Sequence, residues 1–378
     1  MATVPKENPL KAANFRELDG QTVESWLKGN MFTTEGRAIL ELACRSVMGA
    51  EPNEISLLYF LFYLHSSMGP NYVTQVSNGA QQDFIVGGTQ QISLKLAALL
   101  KNQVTLETPV TKVTQSEEGV LVESAVSGEV RHFEARYCVL ACPPSQLRRL
   151  TYEPRLPVAK SQLYQRMFMG SYIKVYTRYS TGFWRTQGFS GEVFCVGDKT
   201  EISFVYDCSL ESDSFFALAV FITGAKQAIS FQTKSEAARR EMVLSHLVKY
   251  FGKEAATPTH YFEKDWQEEP YIGGAPVDII APGALCEFGE ELRKPFGKLF
   301  FAGTETAENF CGYMSGAVEG TVPCPLSPAI TLCLTLYTLT LSWRTSGGSG
   351  GPRVALMTLF SFSFFFFLSS LLLPACVT

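Results

Sequence analysis

The sequence has little histidine and no clustered cysteine. Its 4 histidines lie far apart, and its 10 cysteines are scattered singly, with Cys138 and Cys142 as the nearest pair. Zinc sites and disulfide frameworks both need cysteine or histidine at recognisable short spacings. We therefore expect no metal site and no disulfide framework, and isolated cysteines indicate a reduced, intracellular compartment.

The chain also lacks a basic block and an apolar segment at its start. It has 32 Lys and Arg against 36 Asp and Glu, a formal net charge of −4. That balance argues against a nucleic-acid surface. The opening stretch, "MATVPKENPLKAANF", has no apolar region of the kind found in secretory signals. We predict no nucleic-acid partner and no secretory signal peptide.

Apolar residues are abundant and patterned. The chain is 46% hydrophobic over 378 residues, enough for two or three domains with a sizeable core. Apolar spacing of three and four predicts helices over 34–49, 53–67 (with Ser56 or Asn53 as N-cap) and 235–252. Residues 84–102 predict a strand, a glycine turn and a helix that opens near Thr89.

Alternating patterns predict many strands between these helices. The stretch 129–144 ends in "YCVLACPP", which is apolar on both faces and stops at two prolines. Mixed helices and strands indicate an α/β or mixed α+β protein with one face for a large ligand. The other predicted strands lie in 103–115, 119–125, 171–180, 191–198, 201–207, 215–222 and 297–303.

The last sixty residues differ in character. Residues 321–353 contain a Thr/Leu run and the flexible stretch "TSGGSGGPR". Residues 354–373 are 20 uncharged residues, which as a helix span about 30 Å, one bilayer core. Arg344 and Arg353 precede this stretch and five residues follow it. We predict a linker over 321–353 and a tail anchor over 354–373; a buried apolar tail is the alternative.

Glycines recur at a regular spacing in "FFAGTETAENFCGYMSGAVEG", residues 300–320. Gly312, Gly316 and Gly320 lie four residues apart, which on a helix gives one bare face. Glycine inside a helix costs about 1 kcal/mol relative to alanine. Such a face predicts either a flat ligand against the helix or a second backbone crossing it.

Several stretches in one order give the sequence a resemblance to flavin-containing monoamine oxidases. They include "NGAQQDFIVGGTQ", "YCVLACPPSQLRRL", "MGSYIKVYTRY", "KDWQEEPYIGGAP" and the glycine-rich stretch just quoted. The resemblance covers residues 5 to 320. It implies a two-domain FAD-binding fold with a mixed-sheet substrate domain, its flavin-side segments lying at about 84–150 and 253–320.

The resemblance also implies roles for individual residues. Lys174 matches a lysine that holds a water at the flavin, and Tyr313 matches one of two aromatic residues flanking the substrate amine. As catalytic residues we therefore expect Lys174 and Tyr313. The remaining implied residues are Gln81, Phe204 and Phe221 at the substrate, and Pro109, Val110, Trp266, Gly303, Thr304 and Met314 at FAD.

The sequence departs from the family pattern at several points. It contains no G-x-G-x-x-G turn, the element that binds the cofactor's pyrophosphate, so we expect a partial fold that lacks the first βαβ unit. Ala275 stands where the family has the cysteine that attaches flavin, so any FAD is expected to be non-covalent. Pro276 replaces the second substrate-flanking tyrosine, and the chain after Gly320 leaves the family pattern.

Two functions follow as expectations. The first is oxidative deamination of primary amines to aldehyde, ammonia and hydrogen peroxide, with oxygen as the second substrate. A polyamine or amino-acid oxidase is the related variant. The other is a truncated inactive isoform that binds partners or full-length subunits. The resemblance places the protein on the cytosolic face of the mitochondrial outer membrane and leaves a homodimer open.

Overall fold

The computed structural model describes residues 3–75, 78–83, 85, 87–100, 104–126, 128–197, 200–210, 214–320 and 355–357. The chain divides into two compact units. Unit 1 comprises Met1–Gly20, Ser56–Phe168 and Val277–Thr378, and unit 2 comprises Gln21–Ile55 and Met169–Pro276. The predicted flavin-side segment 253–320 is therefore shared between the two units.

Unit 2 is built on a five-stranded sheet with the order β11-β7-β10-β9-β8, in which all neighbouring strands are antiparallel. Its strands are β7 (Tyr172–Tyr179), β8 (Val193–Phe194), β9 (Phe204–Asp207), β10 (Phe216–Thr223) and β11 (His260–Asp265). Its helices are α2 (Val23–Asn30), α3 (Thr34–Met48), α9 (Phe183–Thr186), α10 (Ala225–Gln232) and α11 (Glu236–Phe251).

The alternation in β7 and β10 explains the core of unit 2. Side chains of successive strand residues point to opposite faces. One face presents Val175, Val220 and Ile222, which pack with Val243 and Leu247 of α11 in a fully buried cluster. The residues between them in sequence, such as Lys174 and Phe221, point to the other face.

Unit 1 contains two larger sheets. One has the order β3-β2-β1-β5, with β5 parallel to β1 and the other pairs antiparallel. The other has the order β13-β4-β14, and both neighbours of β4 run parallel to it. The strands are β1 (Val110–Gln115), β2 (Val120–Val126), β3 (Glu129–Ala135), β4 (Cys138–Leu140), β5 (Thr151–Glu153), β13 (Leu299–Phe301) and β14 (Ala355–Met357).

A short pair, β6 (Met167–Met169) with β12 (Asp278–Ile280), completes the strands described. The helices of unit 1 are α1 (Phe15–Asp19), α4 (Leu57–Ser66), α5 (Pro70–Thr74), α6 (Gln90–Leu99), α7 (Pro144–Leu147), α8 (Val158–Gln165), α12 (Ala284–Phe288) and α13 (Met314–Glu319).

The structure corrects several predicted element bounds. The helix predicted over 53–67 begins at Leu57, because the Ser56 hydroxyl accepts from the N–H of Tyr59 at 3.2 Å and caps it. The stretch 129–144 forms two strands in different sheets rather than one. The strand predicted over 103–115 begins only at Val110. The short strand expected near residue 84 falls largely outside the described residues.

The bare helix face expected at the glycines is wrong. Helix α13 contains only Gly316; Gly312 precedes it with φ +87°, and Gly320 ends it. A Cβ on Gly316 would lie 2.0 Å from the Phe310 carbonyl oxygen, and one on Gly320 would lie 2.2 Å from that of Gly303. These two glycines let a second stretch of backbone pass close to the helix. Of the two predicted explanations, a flat ligand or a crossing backbone, the structure shows the backbone.

The predicted linker over 321–353 lies outside the described residues, as does the predicted anchor over 354–373 apart from β14. Within the described part of the chain, no helix has both the length and the apolar character needed to cross a membrane.

Candidate active site

A row of five side chains crosses one face of the sheet in unit 2. Lys174 on β7 is paired with Lys264 on β11 at one side and with Phe221 on β10 at the other. Phe221 is paired in turn with Phe204 on β9, and Phe204 with Phe194 on β8. Directly paired residues project on the same side of a sheet. This row, Lys264–Lys174–Phe221–Phe204–Phe194, lies opposite the face that packs on α11.

The aromatic part of the row is tightly stacked. The rings of Phe204 and Phe221 lie 4.3 Å apart between centroids at an angle of 20°, and both side chains are buried. Tyr206, two residues along β9, packs against both rings, at 5.2 Å from Phe204 and 5.9 Å from Phe221. Phe194 adds a half-exposed ring at the end of the row. The structure thus builds an apolar wall and adds Tyr206 and Phe194 to the two phenylalanines expected.

Lys174 is the buried cation of this row. Its side chain is 2% exposed, and its Nζ lies 5.1 Å from the centroid of the Phe221 ring. Burial lowers the pKa of Lys174 to about 7, with a smaller opposing effect from the Cys208 thiol nearby. A lysine in this state exchanges between its charged and neutral forms near neutral pH, unlike a solvated strand lysine.

Trp266 lies at the end of β11 in the same unit. Its main-chain N–H donates to the Tyr172 carbonyl at 3.2 Å, and Lys264 Nζ lies 5.6 Å from the centroid of its ring. The Trp266 side chain is 8% exposed. One sheet thus carries Lys174, Phe204 and Phe221, and Trp266 follows directly after its strand β11.

Ala275 and Pro276 close unit 2 in a crowded stretch of backbone. The N–H of Ala275 donates to the Gly170 carbonyl at 2.8 Å, and Ala275 is buried. A Cβ on Gly49 would lie 2.5 Å from the Ala275 carbonyl oxygen. The methyl side chain of Ala275 offers no nucleophile for covalent attachment of a cofactor.

Tyr313 lies in unit 1, inside an aromatic group. Its ring centroid is 6.3 Å from that of Tyr63 and 6.1 Å from that of Phe310. Gly312 has φ +87°, and a Cβ there would lie 2.8 Å from the Tyr63 ring. Glycine therefore permits the close approach of Tyr63, an aromatic neighbour of Tyr313 that the sequence did not reveal.

Gly303 and Thr304 follow β13 at the carboxyl end of a parallel pair. Strands β4 and β13 run in the same direction, so the segments after both strands leave from one edge. In open α/β sheets, ligands bind beyond that edge. Gly303 has φ +129°, a conformation open to glycine and strained for other residues. The Thr304 hydroxyl is occupied within the loop: it donates to the Tyr313 carbonyl and accepts from the Gly312 N–H.

The remaining expected site residues of unit 1 are spread over several elements. The Gln81 side chain donates to the Val73 carbonyl at 3.1 Å and so braces the end of α5. Pro109 and Val110 lie half-buried at the start of β1, and Met314 is the half-buried first residue of α13. These four residues stay predictions of the family resemblance.

Two buried carboxyl groups of unit 1, Asp278 and Glu305, were missed. The N–H of Ser145 donates to Asp278 Oδ2 at 2.5 Å, and the N–H of Asp278 donates to Glu305 Oε1 at 3.4 Å. Burial raises the pKa of both groups, and the charge of Asp278 raises that of Glu305 further. A lone Asp in the apolar run "PVDII" was the available signal. Among the described residues, no three His, Cys, Asp or Glu side chains are grouped as metal ligands.

Known proteins with similar sequences are flavin-containing amine oxidases. The chain is 35% identical over 319 residues to a probable flavin-containing monoamine oxidase A of Dictyostelium discoideum, spanning 69% of its length. It is 35% identical over 318 residues to the flavin-containing amine oxidase B of the dog, spanning 60% of that protein. In both alignments 84% of this chain is covered.

Solved structures agree with these relatives. A cyclohexylamine oxidase from Brevibacterium oxydans superposes with a TM-score of 0.80 at 33% identity, over 84% of this chain and 69% of that one. Wild-type putrescine oxidase bound to putrescine superposes with a TM-score of 0.76 at 29% identity, over 84% of this chain and 70% of that one. The mixed α/β fold expected from the sequence is confirmed.

A family profile described as flavin containing amine oxidoreductase matches residues 5–321. The match includes the five-residue row of unit 2, with its aromatic wall, and the glycine-rich stretch 300–320. It confirms the resemblance, the class of chemistry and a flavin as the family's cofactor. The chain belongs to the flavin-containing amine oxidoreductase family.

Proposed function

We propose that this chain carries out, or forms the substrate-side part of an enzyme that carries out, oxidative deamination of primary amines. The observation that carries the proposal is the row in unit 2, in which Lys174 adjoins the stacked pair Phe221 and Phe204 on one sheet face. A buried lysine beside an apolar aromatic wall provides both an electrostatic group and a surface for an apolar amine. The curated mammalian relatives are longer than the matched region, since the chain spans about 60% of their length.

In unit 1, the loop after β13 has room and a polar group for the ribityl chain of a flavin. Gly303 has no side chain, so a ligand can approach its backbone at the carboxyl end of β13. A Cβ built on Gly303 would lie 3.2 Å from Glu305 Oε2. That carboxyl oxygen is buried and has no hydrogen-bond partner in the described part of the chain. It suits the hydroxyl groups of a ribityl chain. Gly316 and Gly320 do not contribute, because their open sides are filled by the chain itself.

Gly303 and Thr304 would hold the cofactor through their main chain, with Met314, Pro109, Val110 and Trp266 as further contacts implied by the family. The flavin supplies the two-electron oxidation of the carbon next to the amine nitrogen and passes the electrons to oxygen. We propose FAD as the form bound. Because Ala275 has only a methyl group, we propose that it is held without a covalent bond.

The aromatic side chains orient the amine. The faces of Phe204, Phe221 and Tyr206 attract apolar groups by burial, and the face of an aromatic ring also favours an amine cation. From the family resemblance we propose Tyr313 as the retained one of the two aromatic residues that flank the amine, and Gln81 would line the substrate site through the acceptor oxygen left after its donation to Val73. Nothing in the five-residue row is acidic, so the row favours monoamines over diamines.

Lys174 supplies charge where oxygen is reduced. In its ammonium form it stabilises negative charge that develops on oxygen as oxygen accepts an electron. Its burial keeps water from screening that charge. Since its pKa is about 7, we propose that this contribution is strongest on the acid side of neutrality.

Absorbance of the purified full chain tests the proposal. We expect a visible flavin spectrum that bleaches when a primary amine is added without oxygen and returns when oxygen is admitted. Acid precipitation should leave the colour in the supernatant, because no covalent bond forms at Ala275. A colourless protein that takes up no added FAD would instead support an inactive, partner-binding isoform, and colour in the washed pellet would contradict non-covalent attachment.

We further propose that residues 354–373 anchor the chain in a membrane, with the mitochondrial outer membrane as the location and the catalytic region on the cytosolic side. Insertion of the whole stretch requires that Ala355–Met357 leave their pairing with β4. Support comes from the 20 uncharged residues and the two arginines before them. A homodimer is proposed as the assembly, from the family resemblance alone.

A further inference from the structure

A cavity on unit 1 is lined by arginines and lies within one short stretch of chain. Its volume is about 640 Å³, and all its lining residues come from 148–165. It opens between the end of α7, strand β5 and helix α8. Ligand sites of small molecules typically occupy about 300 to 1,000 Å³, so the cavity is of the right size for one.

The charged side chains that line the cavity are all positive. Arg148, Arg149 and Arg155 all line the cavity, and none of the described lining residues is acidic. The charge of Arg148 also reaches the buried carboxyl group of Asp278 and lowers its pKa, against the larger raising effect of burial. Glu153, the neighbouring acidic residue on β5, forms an ion pair with Lys112: its Oε2 lies 2.7 Å from Lys112 Nζ.

The remaining lining suits a ligand with both an anionic and an apolar part. Leu156 and Val158 supply apolar surface, and Ser161 and Gln162 of α8 supply polar atoms. Helix α8 begins at Val158, and its N-cap residue, Pro157, has no side-chain acceptor for the first N–H groups. The positive end of the helix therefore adds to the field of the arginines.

We propose that this cavity binds a ligand that carries a phosphate group. Arginine side chains present two parallel N–H donors that match phosphate oxygens, and the three positive charges more than neutralise a doubly charged group. All three arginines are exposed, so a ligand that enters the cavity can reach them. The phosphate comes either from a soluble phosphate compound or from the headgroup of an anionic lipid, and the chemistry of recognition is the same for both.

The test measures binding of inorganic pyrophosphate to the full chain by titration calorimetry at low ionic strength. We expect Arg155→Gln to weaken binding about tenfold, as loss of one charge-assisted contact does. Arg148→Gln should do the same. Arg131→Gln, which removes an exposed arginine from β3 of the same unit, is the matched control and should leave the affinity unchanged. Equal affinity in the wild type and Arg155→Gln would overturn the proposal, as would absence of pyrophosphate binding.

Vesicles identify the source of the phosphate. Sedimentation with phosphatidylcholine vesicles, with and without phosphatidylserine, is compared for the wild type and Arg155→Gln. Binding to the anionic vesicles that pyrophosphate displaces and that Arg155→Gln weakens supports a lipid headgroup. Pyrophosphate binding with no Arg155-dependent vesicle binding supports a soluble phosphate compound. Thermal unfolding of each variant, with its flavin absorbance, separates loss of this site from loss of the fold or of the cofactor.

Discussion

The main-chain N–H of Asp278 donates to Glu305 Oε1, and both carboxyl groups are buried in unit 1. One oxygen of each, Asp278 Oδ1 and Glu305 Oε2, has no hydrogen-bond partner among the described residues. Burial and the neighbouring carboxyl group disfavour ionisation, so the folded state holds a proton on Glu305 at pH values where the unfolded chain has lost it. The stability of unit 1 is therefore linked to pH.

We expect Glu305→Gln to remove much of this pH dependence. An ordinary glutamate titrates near pH 4.3, whereas Glu305 titrates higher in the folded state. Its contribution is complete below the ordinary value and is lost as the pH rises towards its folded value. The slope is at most about 1.4 kcal/mol per pH unit. Thermal unfolding followed from about pH 5 to about pH 7, below the range in which Lys174 acts in the opposite direction, should show stability falling with pH in the wild type and changing less in the variant.

Glu129→Gln, at an exposed position on β3, is the control and should keep the slope of the wild type. If Glu305→Gln also keeps that slope, the raised pKa of Glu305 is not the source of the pH dependence.

The glycines of the 300–320 stretch make a second prediction. We expect Gly316→Ala to destabilise the protein by about 1 to 3 kcal/mol, because its Cβ would meet the Phe310 carbonyl oxygen and the backbone must shift. Gly29→Ala in α2, where nothing lies within 4 Å of the new Cβ, should instead stabilise by about 1 kcal/mol. Chemical denaturation of both variants measures the difference. A Gly316→Ala protein of normal stability that has lost flavin would restore the flat-ligand interpretation.

Lys174→Met should slow reaction with oxygen more than reaction with amine. Methionine keeps the length and packing of the side chain but removes its charge, and loss of one such electrostatic group costs about 3 kcal/mol, or roughly a hundredfold in rate. Stopped-flow absorbance separates the two half-reactions. In the wild type, the oxygen reaction should slow as the pH rises through about 7, where Lys174 loses its charge.

Lys253→Met, at an exposed lysine of the same unit, is the matched control and should change neither half-reaction. Equal oxygen rates for Lys174→Met and the wild type would make Lys174 a structural residue. Burial of its charge also has a stability consequence: unit 2 should lose stability as the pH falls from about 10, near the ordinary pKa of lysine, to about 7, and the methionine variant should not.

The aromatic wall predicts a selective loss of substrate affinity. We expect Phe221→Leu to raise KM for apolar primary amines by about tenfold while kcat changes less, because the ring stacked on Phe204 supplies about 1.5 to 3 kcal/mol of apolar contact. Phe231→Leu is the matched control: it makes the same substitution on helix α10, in the buried core that packs against the opposite face of the sheet. It should lower stability and leave KM unaltered; similar KM values for both variants would place the substrate elsewhere.

Residues 354–373 should carry a soluble fluorescent protein to a membrane. Twenty uncharged residues are long enough to span a bilayer core. Replacement of Phe365 and Phe367 by arginine adds two charges to the middle of the stretch and should abolish membrane association. A diffuse signal from the unsubstituted fusion would show that the stretch is not an anchor. Co-staining of mitochondria tests the proposed location.

Local features were determined by the sequence itself. The alternation in 171–180 and 215–222 gave β7 and β10, since a period of two allows only one face of a strand to enter a core. Ser56 fixed the start of α4 because its hydroxyl satisfies a free N–H there. The family motifs implied Lys174, Phe204 and Phe221 as separate residues of one site.

Tertiary structure decided which of these residues are neighbours and what the glycines do. Strand register, which is set by pairing between distant segments, placed Lys174, Phe221 and Phe204 side by side. The spacing of Gly312, Gly316 and Gly320 could not show whether a ligand or a backbone faces them, because spacing carries no information about the partner. Folding brought the Phe310 and Gly303 carbonyls to Gly316 and Gly320, and it buried Asp278 beside Glu305 from a separate segment of the chain.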